Sequence, residues 1–493
     1  MTSLAPESLI AAAILLPFIG ALLIPMFGDQ PDKRETVTLV TASALFLVVA
    51  ALLPHVFGGS RPQVVALEVA QGLSLAFEVE PLGMLFALVA SGLWIVNSIY
   101  SIGYMRAKNE PRQTSYYVCF AVAIGSTIGL AFAKNLFTMF LFYEALTIST
   151  YPLVTHSRTA EAMRAGRIYL GLLLGTSMLL FLPAIIATWV IAGTLDFTPG
   201  GVLDGKAGGA VLGILLALYV FGIGKAAVMP LHFWLPAAMV APTPVSALLH
   251  AVAVVKAGVF SILKVVLYIF GPDALSVSGA NVWLIYLASA CIIGASLIAL
   301  SKNNLKARLA YSTVSQLAYV VLAAALATNA GIIAGAIQIA THAAGKITLF
   351  FCAGAIYVAT HKTEISDLDG LGRRMPFTFV AFLIGSLSII GLPPFGGTWT
   401  KWYLGLAAID SGHAFVIGVL IVSSLLNVAY LLSIVGRAFF LSAPGQDGAR
   451  AVPIKEAPLA CVVPLSVTAI LCLVLFFQID KVQALVSVAI AGN

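Results

Sequence analysis

The chain has 493 residues, 60% hydrophobic and only 9% charged, with a mean hydropathy of +1.03. Soluble domains carry about 25% charged residues, so this composition excludes a soluble domain able to hold a cofactor and predicts an all-α polytopic membrane protein, one domain over 1–493. The net charge of +6 does not point to nucleic acid, because the basic residues form no aromatic-interleaved patch.

The first apolar run, Leu9 to Phe27, is long enough to span a bilayer, and its only early charge is Glu7. It reads as a retained first helix, not a signal peptide. Apolar runs then recur to give about fourteen transmembrane spans, centred near residues 18, 46, 92, 125, 145, 178, 219, 254, 290, 316, 344, 390, 426 and 468. Between spans two and three, VVALEVAQGLSLAFEVE (64–80) alternates around Gln71-Gly72 and predicts a short external hairpin. Gly200, Gly201, Gly205, Gly208 and Gly209 mark a flexible connection before span seven.

Two spans read as broken. Span seven runs into VMPLHFWLPAAMVAPTPVSALL, with Pro230, Pro236, Pro242 and Pro244. Span twelve contains GLPPFGGTWTKWYL, with Pro393-Pro394 and Gly396-Gly397 at its middle. Such residues interrupt the backbone ladder, which at membrane depth is tolerated only inside protein or beside a water-filled cavity. Interruptions five spans apart predict two inverted five-helix repeats, spans four to eight (about 116–267) and nine to thirteen (about 281–440).

Charge sets the orientation. Seventeen of the 26 basic residues fall in odd-numbered connections; Arg61, Lys134 and Lys206 fall in even ones, and Lys481 follows the last span. By the positive-inside rule the odd connections are cytoplasmic and both termini lie outside a cell (inner or plasma) membrane. Five lysines remain within spans, Lys225, Lys256, Lys264, Lys346 and Lys401, and Glu144 alone among the twenty acidic residues. Ionisable groups at that depth are expensive and mark a functional site by default.

Glu144 sits near mid-span in NLFTMFLFYEALTIST, where burial disfavours its charge unless it is paired. Lys225, five residues before Pro230, is the expected partner; moving the two apart would lower the lysine's hold on its proton. His250 and Lys256 are six residues apart, about 240° round a helix, so one faces span seven and the other span eleven or twelve. His342 and Lys346 are four apart and share a face. Lys401 follows the break in span twelve as the terminal donor to the outer side, whereas Lys264 reads as snorkelling near a span end. Thr147, Thr150, Thr243, Ser246 and Thr400 are placed to support bridging waters or ordinary helix packing.

The five cysteines lie in apolar spans without C-x-x-C spacing and read as small core residues. The histidines lack metal-ligand spacing, and no nucleotide-binding glycine motif fits, so neither metal nor cofactor is expected.

The segments FLFYEALTIST, GKAAVMPLHFWLPAAMVAPTPVSALLHAVAVVKAG, LKARLAYSTVSQLAY and GLPPFGGTWTKWYL resemble the antiporter-like subunits of respiratory complex I and of Mrp multisubunit sodium/proton antiporters. The likeness covers essentially the whole chain. It implies proton transfer along Glu144 (the span-five glutamate), Lys225 (span seven), His250 and Lys256 (span eight), His342 and Lys346 (the central region) and Lys401 (span twelve). It also implies other membrane subunits as partners, with protons and sodium as the transported ions. Lysine at 401 departs from the complex I member that carries glutamate there. Fourteen spans without an extension best resemble the D-type member of the Mrp set. A proton-pumping subunit of complex I or of a membrane-bound hydrogenase, and a structural anchor without transport, are the alternatives.

Overall fold

The computed structural model describes residues 5–70, 72–442 and 453–491. Gln71, at the centre of the expected hairpin, and Arg450, counted among the odd-connection charges, lie outside the described residues. The chain begins with α1 (Pro6–Leu23), α2 (Pro31–Phe57), the strands β1 (Gln63–Ala70) and β2 (Leu73–Glu78), α3 (Pro81–Ala107), α4 (Gln113–Ala131) and α5 (Leu136–Val154). Helix α6 (Ala160–Thr176) runs through one π-helical turn into α7 (Leu182–Ala192), followed by α8 (Gly209–Gly222), α9 (Trp234–Ala237), α10 (Thr243–Ala247), α11 (Val254–Val265) and α12 (Pro272–Ser278). The rest comprises α13 (Val282–Ser301), α14 (Leu305–Ala325), α15 (Asn329–Thr360), α16 (Leu371–Arg374), α17 (Pro376–Ile390), α18 (Gly397–Asp410), α19 (Phe415–Phe440), α20 (Leu459–Phe477) and α21 (Ile479–Ala491).

This is an all-α polytopic membrane protein. Each of the fourteen expected centres falls in a helix, and among the described residues eleven helices are long and apolar enough to cross a bilayer. In hydrocarbon every backbone group must find an internal partner, which helices supply except at their ends. Side chains close several of those ends: Asn135 accepts from the Thr138 amide at 2.8 Å, Asn304 from Ala307 at 3.1 Å and Thr328 from Gly331 at 3.0 Å. Proline opens α1, α2 and α17, where its missing N–H has no intrahelical partner to lose. β1 and β2 pair antiparallel as the expected hairpin.

Large apolar side chains such as Leu22, Leu179, Val190 and Leu425 point outward, as a lipid-facing surface requires. The core is the segment Thr243–Phe270, whose most apolar window is fully buried, together with the 32-residue α15.

Three breaks cut into this core. Helix α8 ends at Gly222, and one 3-10 turn, Gly224–Ala226, precedes a left-handed Ala227 (φ +52°). The expected break at Pro230 therefore begins earlier, and Lys225 lies within it. Between α17 and α18, residues 391–396 leave the helix, starting at Gly391 (φ +82°). A third interruption was not expected: Leu248–Val252 form a π-helical turn around His250, and Ala253 (φ −112°, ψ −69°) separates it from α11. Gly258 lets α11 approach the first break, since a Cβ there would collide with the backbone of Lys225 and Ala226.

Candidate functional site

Each break lies at or beside a titratable group, Lys225, His250 or Lys401. Lys225 projects from the first break onto α5. Its Nζ donates to the Tyr143 carbonyl at 2.8 Å and to Thr147 Oγ1 at 2.5 Å, and it stands 3.1 Å from the centroid of the Tyr143 ring. The Lys225 amide donates to Tyr143 Oη at 3.1 Å, and Trp234 Nε1 ties the far side of the break to the Gly224 carbonyl at 3.0 Å.

The expected Glu144–Lys225 pair is not a direct contact: among the described residues no ion pair within 4.0 Å joins the two and both Glu144 carboxylate oxygens are buried without a hydrogen-bond partner, although Glu144 is near enough to act on Lys225 electrostatically. Lys225 Nζ instead reaches main-chain and hydroxyl acceptors on α5, one residue before and three residues after Glu144.

Lys256, on α11, places Nζ 2.6 Å from Nδ1 of His342 on α15. Lys346, one turn further along α15, donates to Ser312 Oγ at 2.6 Å and to the Leu309 carbonyl at 3.3 Å. Ser312 bonds Tyr430 Oη at 2.8 Å, and that hydroxyl donates to Asn427 Oδ1 at 2.5 Å. Lys401, just after the second break, donates to Ser424 Oγ at 2.5 Å and to the Ile390 carbonyl.

Three lysines thus sit in the same kind of clasp, one main-chain carbonyl and one hydroxyl, and the fourth faces an imidazole. Uncharged acceptors satisfy two donors of each ammonium without fixing it as a carboxylate would. A lysine so held can lose its proton without leaving a buried anion beside it, which suits transfer better than permanent pairing.

His250 makes no hydrogen bond to the other titratable groups among the described residues. Its ring packs on Phe350 at 4.8 Å, and neither ring nitrogen has a partner among the described residues. Lys264 contradicts the snorkelling expectation. It is fully buried, 3.3 Å from Glu80 Oε1, and donates to the Ala133 carbonyl at 2.9 Å. Glu80 caps α3 through the Leu82 and Gly83 amides, both at 2.7 Å, and accepts from Tyr268 Oη at 3.1 Å. Glu144 is therefore not the sole buried acid. A glutamate directly before a helix-opening proline is the sequence signal that marks Glu80 as a cap.

Around Lys401, a cavity of about 570 Å³ opens between α18 and α19. At one end of the bundle a second cavity, about 270 Å³, is lined by Glu110, Asn304, Lys306 and Lys362 among others, with Lys306 Nζ bonded to the Ala241 carbonyl at 2.6 Å.

Comparison with known proteins points one way. The family model described as NADH:quinone oxidoreductase/Mrp antiporter, TM, matches residues 133–427. The chain is 32% identical over 378 residues to NADH-quinone oxidoreductase subunit N of Desulforudis audaxviator, covering 76% of this chain and 74% of that one. It is 31% identical to NAD(P)H-quinone oxidoreductase chain 5 of Synechocystis, with 80% and 60% covered. A probable K(+)/H(+) antiporter subunit of Rhizobium meliloti, of the A/B type, is 30% identical, with 82% and 40% covered. The chain thus spans less than two thirds of the length of these last two. Among solved structures, a chain of the Mrp complex from Dietzia superposes with a TM-score of 0.84 at 22% identity, covering 98% and 97%. A chain of an archaeal membrane-bound sulfane sulfur reductase superposes at 0.85 and 25% identity over the same shares.

Proposed function

Because this chain belongs to the NADH:quinone oxidoreductase/Mrp antiporter transmembrane family, we propose that it moves protons through the membrane along Glu144, Lys225, His250, Lys256, His342, Lys346 and Lys401. It is an antiporter-like membrane subunit of the Mrp or complex I type. The observation that carries the proton reading is the 2.6 Å contact of Lys256 Nζ with His342 Nδ1, flanked by lysines in uncharged clasps. An amine and an imidazole at hydrogen-bond distance exchange a proton directly.

In this reading Lys225 occupies its resting position, and approach to Glu144 is the step that raises its hold on a proton. Separation drives the proton onward to Lys346, then to Lys256 and His342, and last to Lys401. His250 joins by rotation of its ring or through water. The halves 116–267 and 281–440 are inverted repeats, each contributing one proline-marked break with its lysine. The connections rich in Lys and Arg face the cytoplasm, and both termini lie outside a plasma membrane.

The protein works in a multisubunit cation/proton antiporter, resembling the D-type Mrp member and exchanging protons for sodium; the antiporter relative and the Mrp fold support this. A second reading, the same module in a quinone oxidoreductase, is favoured by the likeness to subunit N, of which the chain spans 74%. The test is transport in everted vesicles holding the assembled complex. Sodium-driven proton exchange that Glu144→Gln and Lys401→Ala abolish supports the first reading. Proton pumping that needs NADH or quinol supports the second. Undiminished transport in both variants excludes the relay.

A further inference from the structure

The ground between His342 and Lys401 is polar and nearly closed. Gln316, Gln338, Thr341, His342, Thr400 and Lys401 all line one chamber of about 10 Å³. Roughly 10–15 Å³ is the least space that holds a water, which also needs two to four polar partners.

The walls supply them. Nε2 of His342 and Nε2 of Gln316 are both buried without a partner among the described residues, in side chains 1% and 3% exposed. Gln338 Nε2 donates to Gln316 Oε1 at 2.9 Å, which sets the Gln316 amide with its own NH2 free. Thr341 and Thr400 hydroxyls meet at 3.3 Å on the wall. On the other side of the ring, an ammonium at Lys256 makes Nδ1 of His342 the acceptor, so the neutral imidazole carries its proton on Nε2.

We propose that this chamber is a binding site for one water, held by Nε2 of Gln316 between His342 and Lys401, and that Gln316 is a positioning residue for the transfer. The inference rests on the proton-transfer reading above. In the step, an N–H bond of Lys256 breaks as Nδ1–H of His342 forms. The Nε2–H bond breaks as the water gains that proton, and an O–H bond of the water breaks as a neutral Lys401 amine gains one. Lys256 ends neutral, Lys401 ends as an ammonium, and His342 ends neutral with its proton on Nδ1. Rotation of the ring resets it.

Two substitutions in the assembled complex separate this role from packing. Gln316→Met keeps the volume and removes the donor; Gln316→Ser removes volume and keeps a hydrogen-bonding group with space for another water. Proton transport in everted vesicles is expected to fall about a hundredfold in Gln316→Met, and Gln316→Ser to exceed it by about tenfold or more. Parental transport in Gln316→Met, or equal loss in both variants, overturns the water site. Lys346→Ala is run alongside: parental transport there sinks the relay reading itself, whereas loss there leaves the Gln316 variants to decide the water site alone.

Discussion

Lys256 on α11 and His342 on α15, 86 positions apart in the chain, meet at 2.6 Å between Nζ and Nδ1 inside a fully buried core. Among the described residues neither side chain has a carboxylate in hydrogen-bond or ion-pair contact, and each lies next to a helix distortion or another titratable group. The contact makes one unit of two residues. Lys256→Ala and His342→Ala should each lower proton transport by about a hundredfold, and the double variant should be no worse than either. Transport assays on the three variants check this; multiplicative losses would show that the two act separately.

The clasp on Lys225 predicts a partial effect. Thr147→Val removes the 2.5 Å hydroxyl contact and keeps the Tyr143 carbonyl. A hydrogen bond to a charged group is worth about 1.5–3 kcal/mol, so the rate should change by about ten- to a hundredfold, while Glu144→Gln should stop transport. Rates from one vesicle preparation of each variant decide between these magnitudes.

Lys264 and Glu80 form a buried pair that fastens α11, α3 and the connection between α4 and α5 together. Removing one partner strands the other charge, and such losses are about 3–5 kcal/mol. Glu80→Ala should therefore cost more than a cap alone, and Lys264→Met combined with Glu80→Gln should recover much of the loss. Thermal unfolding of the purified complex measures both. A double variant as unstable as the sum of the singles would contradict the pairing.

Gly258 is the point where α11 presses on the first break. Gly258→Ala inserts a methyl group against the backbone of Lys225 and Ala226, and overpacking of this kind costs about 1–3 kcal/mol. The expected result is an assembled complex with impaired transport, read by vesicle assay and size-exclusion chromatography together.

At the 270 Å³ cavity, burial holds the Glu110 carboxyl above its usual range, against the pull of Lys108. A raised carboxyl binds more protons in the folded state than in the unfolded one, so it lowers stability as pH rises through that range. Glu110→Gln should be modestly more stable than the parent at neutral pH and equal to it well below the carboxylate range. Denaturation at the two pH values tests the sign.

Much of this was legible in the sequence because hydropathy, proline and lysine carry large energies. Spans followed from apolar length, and both proline-marked breaks lie where Pro230 and Pro393-Pro394 indicated. What failed depended on rotation and packing. A linear pattern could not reveal that the break seats Lys225 Nζ on the Tyr143 carbonyl and the Thr147 hydroxyl and not on the Glu144 carboxylate. Lys264 looked peripheral because the groups that bury it, Glu80 and the Ala133 carbonyl, come from distant segments. The π turn at His250 has no proline or glycine to announce it, and Gln316 and Gln338 were two polar residues among many.

The central claim is that protons pass through this chain by way of its buried lysines, and Lys346 in its Ser312 clasp is fully enclosed. Reconstituting the purified complex with Lys346→Ala and recording proton flux with a pH-sensitive dye tests it most directly. The account predicts an intact complex whose flux has vanished; an intact complex with the parental flux would contradict it.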